Sequence, residues 1–322
     1  MIDKNNIKAY ACINKNINVR KKSSSGGCFY ELAKYITNNK GIVFAARFDD
    51  DFNVIHDGFE DEKEIIQYMG SKYVPSKLNN TFNLIKNNLN NGRLVMFCGT
   101  PCQNNGLTNF LNKYYDNLIQ IDFICHGLPD NRVWEKYLSI LKRNGIIKNI
   151  QFRNKDSGWK KYKFKVEYEN CNPLSEVHNQ NIYIRGFLDN LYLKNSCYNC
   201  KNKGYSRASD ITLADLWGAD NIVHKLDDDQ GISAMFINTK KGMDIFNIIN
   251  NNLICKQIEI NDITKYNIAY YESANEHKNR KKFMDKLNNT DDIVELIESC
   301  LKEKITDKIV RKLKSVVRKM YK

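Results

Sequence analysis

Between Arg93 and Arg143 the chain alternates twice between an apolar run and a helical pattern. Arg93 to Phe97 (RLVMF) reads as a short strand, the loop CGTPCQ follows, and a helix is expected from about Asn104 to Leu111. Leu118 to Ile124 (LIQIDFI) reads as the next strand, stops at Cys125-His126-Gly127, and gives way to a helix over 131–143. Successive strand–loop–helix units point to neighbouring strands that run parallel. That places at least the first half of the chain in the α/β class, with a partly parallel sheet and flanking helices.

The flanking segments extend this pattern. Upstream, helices are expected over 29–37, 61–69 and 80–90, and strands over 42–48 and 53–56, with a loop SKYVPS at 71–76. The second half mixes strands at 148–153, 161–169, 210–216 and 231–238 with a short helix at 184–193, a cysteine loop and a helical end from about 275. The expected architecture is mixed α+β with a cysteine-loop lobe. No Pro/Gly-rich linker divides the halves of the 322 residues, which are enough to bury a sizeable core. We therefore read residues 1–245 as one domain and 246–322 as a helical C-terminal region.

The net charge of +13 bears on partners. About half of the excess sits in 301–322, where nine Lys and Arg face only Glu303 and Asp307. Ile305, Ile309, Leu313, Val316 and Met320 fall on one side of a helix there. Such a helix suits either docking on the body or lying on an anionic membrane surface. The body shows no basic face with interleaved aromatics, so nucleic acid is not an expected partner. No apolar run reaches the length of a bilayer span, and Met1 to Tyr10 lacks the apolar stretch of a secretory signal. A cytoplasmic setting is expected, where the 10 cysteines are thiols or metal ligands rather than disulfides.

Cys197 and Cys200 form C-x-x-C in NSCYNCKNKG, a spacing that places two thiolates on one metal. Cys102, in GTPCQ, and Cys125, in FICHG, each follow a strand on a loop that the sheet would hold rigid. Four cysteines suit a structural zinc ion or a 4Fe–4S cluster equally on spacing alone. Cys12, Cys28, Cys171, Cys255 and Cys300 stand alone and read as buried small hydrophobes. Cys98, at the end of a strand, ranks below the four as a ligand.

Three loops have the character of an anion or dinucleotide cradle. Ser23-Ser24-Ser25-Gly26-Gly27 precedes a helix, where backbone N–H groups and the helix dipole favour a phosphate, although such a run is also an ordinary N-cap. Ser71-Lys72-Tyr73 adds a cation and a ring. Gly99-Thr100 lies at a strand's C-terminal end, the usual place for ligands in α/β sheets.

In order along the chain, SSSGGCFYELA (23–33), GSKYVPS (70–76), FCGTPCQNNGL (97–107), IDFICHGLPDNRVWEKYL (121–138), FRNKDSGW (152–159), CYNCKNKGYSRASDITLADLWGAD (197–220) and GISAMFINTKKG (231–242) resemble the beta-subunit family of coenzyme F-420-reducing hydrogenases and dehydrogenases. The resemblance spans roughly residues 8–245. It implies an oxidoreductase with a 4Fe–4S cluster on Cys102, Cys125, Cys197 and Cys200. It also implies FAD lined by Ser24, Ser25, Gly26, Gly27, Ser71, Lys72, Tyr73, Gly99, Thr100 and Gln103. Many members begin with a ferredoxin-like segment carrying further clusters. This chain starts almost at the SSSGG region, which implies a separate one-electron donor such as ferredoxin and an unidentified two-electron acceptor. Relatives of this short type, in bacteria lacking the deazaflavin, often occur near polysaccharide-synthesis proteins, so the family name does not fix the acceptor.

Next to Cys125, His126 is a candidate to tune the cluster or relay a proton, or simply to make a structural hydrogen bond. Lys155 and Trp159 are candidates to line the substrate or flavin face, and Asp215 and Trp217 to pack near the cluster. The alternative class is a zinc-stapled scaffold of a glycan-synthesis complex, or a transferase in such a pathway.

Overall fold

The structure is a computed structural model that describes residues 7–302. Its strands are β1 (Lys8–Asn14), β2 (Ile42–Phe48), β3 (Val54–Phe59), β4 (Val95–Cys98), β5 (Leu118–Phe123), β6 (Ile147–Asn154), β7 (Lys163–Tyr168), β8 (Leu174–Val177), β9 (Ile211–Asp215), β10 (Ser233–Ile237) and β11 (Leu253–Ile258). Eight of them form one mixed sheet in the order β11-β1-β10-β9-β5-β4-β2-β3, and β6-β7-β8 form a second, antiparallel sheet. The fold is α/β, as the sequence indicates.

The centre of the large sheet is parallel: β2 with β4, β4 with β5, and β5 with β9. These strands are short and apolar because helices cover both faces. In β5 the first five of six residues are buried. The helices Cys28–Asn38 and Lys240–Ile249 pack on one face around Leu32, Ile36, Val43, Met96, Ile121, Ile245 and Phe246. The helices Thr81–Asn90 and Pro101–Leu111 pack around Phe44, Ile85, Leu89, Phe97 and Leu107. The helix Asn131–Arg143 buries Val133, Trp134, Tyr137, Leu138 and Leu141 along one stripe. It carries that stripe to the small sheet, where Trp134, Phe152, Phe164, Tyr183 and Tyr192 make an aromatic core.

Three differences from the sequence reading matter for the site. β1 is a strand that the sequence pattern does not reveal, and it lies between β10 and β11. Residues 253–258, inside the region expected to be helical, form the outer strand β11. Consequently Cys12 and Cys255, expected to be isolated, lie opposite each other across β1 and β11. The amphipathic run Ile305, Ile309, Leu313, Val316 and Met320 lies outside the described residues. Among the described residues no helix is long and apolar enough to cross a membrane.

Candidate functional site

Because β4 and β5 run parallel, their C-terminal loops open on the same edge of the sheet. After β4, the Thr100 side chain accepts from the Gln103 N–H at 3.4 Å, and Thr100 N–H donates to Gln103 Oε1 at 2.9 Å. This capping box, with Pro101 in the first helical position, starts the helix at Pro101 rather than near Asn104. Cys102 therefore sits in the first turn of a helix and not in the loop. It is exposed, with Thr100 Oγ1 3.1 Å from its sulfur.

Cys125 follows β5. The loop carrying C-x-x-C folds back onto it through backbone and charged contacts. Leu128 N–H donates to Cys197 Sγ at 3.3 Å, and Lys203 Nζ donates to the Cys125 carbonyl at 2.8 Å. Cys200 N–H donates to Ser273 Oγ at 2.9 Å. A β-carbon at Gly127 would press on the Leu193 side chain at 2.7 Å and stand 3.5 Å from Cys197 Cβ, so the 125–128 turn lies against the C-x-x-C segment. Asn105, on the helix that bears Cys102, donates to Asn202 Oδ1 and to the Ser206 carbonyl and closes the third side.

The electrostatics place the four sulfurs in one neighbourhood. Burial pushes the Cys125 thiol up to about 12; Lys203 opposes this, and Cys102, Cys197 and Cys200 add to it. Burial also raises Cys197, Leu128 N–H opposes it, and Cys102 and Cys200 push it further up. Among the described residues no three His, Cys, Asp or Glu side chains stand close enough to grip a single metal ion.

Beneath this group runs a buried ion pair that no sequence motif marks. Arg207 donates to both Asp122 oxygens at 3.2 and 3.3 Å, and Thr212 donates to Asp122 at 2.5 Å. Both charged side chains are almost wholly enclosed, and Arg207 lies over the Tyr270 ring. Asp122 is three residues before Cys125 and Arg207 seven after Cys200, so the pair fastens one cysteine segment to the other. The one signal in the sequence is the run KNKGYSR after C-x-x-C, which sets cations beside thiols.

The three expected cradle loops also come together. Ser71 donates to Ser24 Oγ from its N–H at 2.6 Å, with the two hydroxyls 2.9 Å apart. Gln103 Nε2 reaches Ser76 at 2.9 Å. Lys72 donates to the carbonyls of Tyr68, Met69 and Gly70 at 3.1–3.3 Å. Burial pushes its ammonium down to about 7, opposed by Cys98. Cys98 is pushed up to about 12, first by burial and then by Asp122. The Tyr73 ring stacks on Phe187 at 4.8 Å, and Phe187 meets His126 edge-on at 5.0 Å, so an aromatic file joins the SKY loop to the residue after Cys125. Among the described residues His126 Nε2 is buried without a hydrogen-bond partner, and burial pushes its ring pKa down against the opposing influence of Phe187 and Asn190.

Lys155 is buried behind the serine–glycine loop. Its ammonium donates to the carbonyls of Arg20, Ser25 and Gln230 at 2.6, 3.0 and 2.6 Å, which gives it a positioning role. Asp215 pairs with Arg153 and accepts from Trp159, and Trp217 stacks on Trp159 at 4.8 Å.

A family model for the C terminus of the coenzyme F420 hydrogenase/dehydrogenase beta subunit matches residues 92–265, more than half of the chain. The chain belongs to this family. As a member of a hydrogenase/dehydrogenase family it is an oxidoreductase by type. The match includes Cys102, Cys125, Cys197 and Cys200; the 23–27 and 71–73 loops precede it. The chain is also similar to a chain of the xenon-derivatised F420-reducing NiFe hydrogenase complex from Methanosarcina barkeri. That likeness has a TM-score of 0.54 and 16% identity, over 88% of this chain and 92% of that one. At that identity the likeness shows a shared fold. No curated protein sequence matches the chain.

The serine–glycine loop of this family member leans on β1 and β10. Asn14 N–H donates to the Gly26 carbonyl at 2.7 Å and Gly26 N–H to Ser233 Oγ at 2.9 Å. A β-carbon at Gly26 would drive into the Cys12 carbonyl and stand 2.6 Å from Ser233 N. Gly26→Ala is expected to lower stability by about 1–3 kcal/mol through overpacking alone. A thermal unfolding curve indistinguishable from wild type would show that the loop does not rest on β1.

Proposed function

We propose that the protein is an iron–sulfur flavoprotein oxidoreductase. In this reading Cys102, Cys125, Cys197 and Cys200 hold a 4Fe–4S cluster, and the loops at 24–27, 71–73 and 99–103 hold FAD. The observation that carries the reading is the gathering of these thiols and loops at one sheet edge, joined by Tyr73, Phe187 and His126. A zinc ion needs four sulfurs within about 2.3 Å of one point. A 4Fe–4S cluster takes one thiolate at each of its iron corners, so the same four cysteines suit it as well.

When bound, a cluster carries single electrons and a flavin one or two, which together link a one-electron donor of the ferredoxin class to a two-electron acceptor. The chain's own residues supply the setting. Leu128 N–H donates to the Cys197 sulfur and Lys203 places a cation beside the thiols, and both favour the thiolate state a metal needs. Gly27 offers a backbone donor and Ser24 a hydroxyl near an anionic cofactor. Lys155 fixes Ser25 from behind.

Protein purified without oxygen and analysed for iron, acid-labile sulfide, zinc and flavin tests this. The expected result is a brown protein holding iron, sulfide and FAD. A colourless protein holding zinc would replace the proposal with a zinc-stapled scaffold.

A further inference from the structure

β1 and β11 pair antiparallel with Cys12 directly opposite Cys255, and the two sulfurs are 3.1 Å apart. Directly opposed residues on antiparallel strands have Cα atoms about 4.5–5.5 Å apart. That lies inside the roughly 4.4–6.8 Å span of a disulfide. The two thiols differ in access. β11 is the outer strand and Cys255 is half-exposed, whereas Cys12 is fully buried. Cys28, also fully buried, touches Cys12 and is a third thiol in the group.

We propose that Cys12 and Cys255 form a reversible thiol–disulfide site that hydroperoxides oxidise. The site stands whether or not the chain binds a flavin. The Cys255 thiolate attacks the peroxide: an S–O bond forms, the O–O bond breaks, and the departing oxygen takes a proton and leaves as alcohol, or as water from hydrogen peroxide. Cys255 is then a sulfenic acid. The Cys12 sulfur attacks the Cys255 sulfur, an S–S bond forms, and the hydroxyl leaves with the Cys12 proton as water. Two electrons pass from the thiols to the peroxide. A dithiol returns both cysteines to thiols by exchange.

The local chemistry assigns the order of attack. The hydrogen bond shared with Cys12 lowers the Cys255 pKa against the effect of burial, and the positive charge of Lys15 lowers it further. The same hydrogen bond, the contact with Cys28 and burial hold Cys12 well above the ordinary thiol range. Thus the exposed sulfur is the nucleophile and the buried one resolves it. The Cys12 carbonyl is also the surface on which Gly26 rests, so the bond would form directly under the serine–glycine loop.

The test uses the full chain, purified without oxygen and treated with equimolar hydrogen peroxide. Free thiols are then blocked, and the protein is digested without reductant and mapped by mass spectrometry. The expected product is a linked peptide pair containing Cys12 and Cys255, two hydrogens lighter than the separate peptides and lost on adding dithiothreitol. Cys255→Ser should lose it and Cys28→Ser should keep it. A link from Cys12 to Cys28 would overturn the proposal. So would a Cys255 carried on to sulfinic or sulfonic acid while Cys12 stays open to alkylation in the unfolded chain. The wild-type map needs no variant, so a folding defect in either variant leaves the proposal open to refutation.

Discussion

Cys125→Ser protein, purified without oxygen, should carry little of the wild-type iron and acid-labile sulfide. Cys125 is the best choice among the four thiols because the other three all act on its thiol electrostatically. It follows β5, and Lys203 holds its carbonyl. Loss of a hydrogen-bonding partner behind a metal ligand already costs roughly 10–100-fold in affinity, and loss of a ligand costs at least as much. Serine keeps the size of the side chain, so the fold should survive, as circular dichroism would verify. Cys171→Ser is the matched control: Cys171 is exposed and only donates to the Asn144 carbonyl. Wild-type iron in Cys125→Ser would remove Cys125 from the ligand set.

Arg207→Met should destabilise the protein more than Gly26→Ala or Cys125→Ser. It leaves the Asp122 carboxylate enclosed with Thr212 but without its cation. Burial already pushes the Asp122 pKa up, and Arg207 is the largest influence pulling it back. Breaking a buried pair from one side costs about 3–5 kcal/mol, because an uncompensated charge remains. Urea unfolding measures it. The double variant with Asp122→Asn should cost clearly less than the two single changes added together, since each alone orphans the other. Strict additivity would show that the two side chains do not act as a pair.

The sequence reveals the centre of the large sheet and its β3 edge, but not the edge formed by β1 and β11. β2, β5 and the helix over 131–143 are legible because burial on both faces, or on one helical stripe, forces an apolar pattern. β11 (LICKQI) escapes because it is an outer strand with only Leu253 fully buried. With β11 missing, Cys12 and Cys255 have no visible relation. The early start of the helix at Pro101 was legible, because Thr100 and Gln103 have capping-box spacing around a proline. Lys155 is the instructive residue of the site: a lysine near a candidate cradle loop suggests chemistry, and in the structure its ammonium donates to three backbone carbonyls. No sequence pattern encodes which carbonyls will converge on a cation from three distant segments.

The place of β1 in the large sheet has a consequence for biosynthesis. Among the described residues β1 pairs with β10 and β11 and with no other strand. At about 5–20 residues per second, a ribosome needs roughly ten to forty seconds to travel from the end of β1 to the start of β10. For that time the first strand is a nascent segment with no neighbour, and both of its edges are open to chaperones or to other chains. The serine–glycine loop is anchored to β1 on one side and to Ser233 of β10 on the other. It therefore cannot take its shape until translation has passed Ser233, which makes it a late-maturing part of the molecule although it is synthesised well before β10.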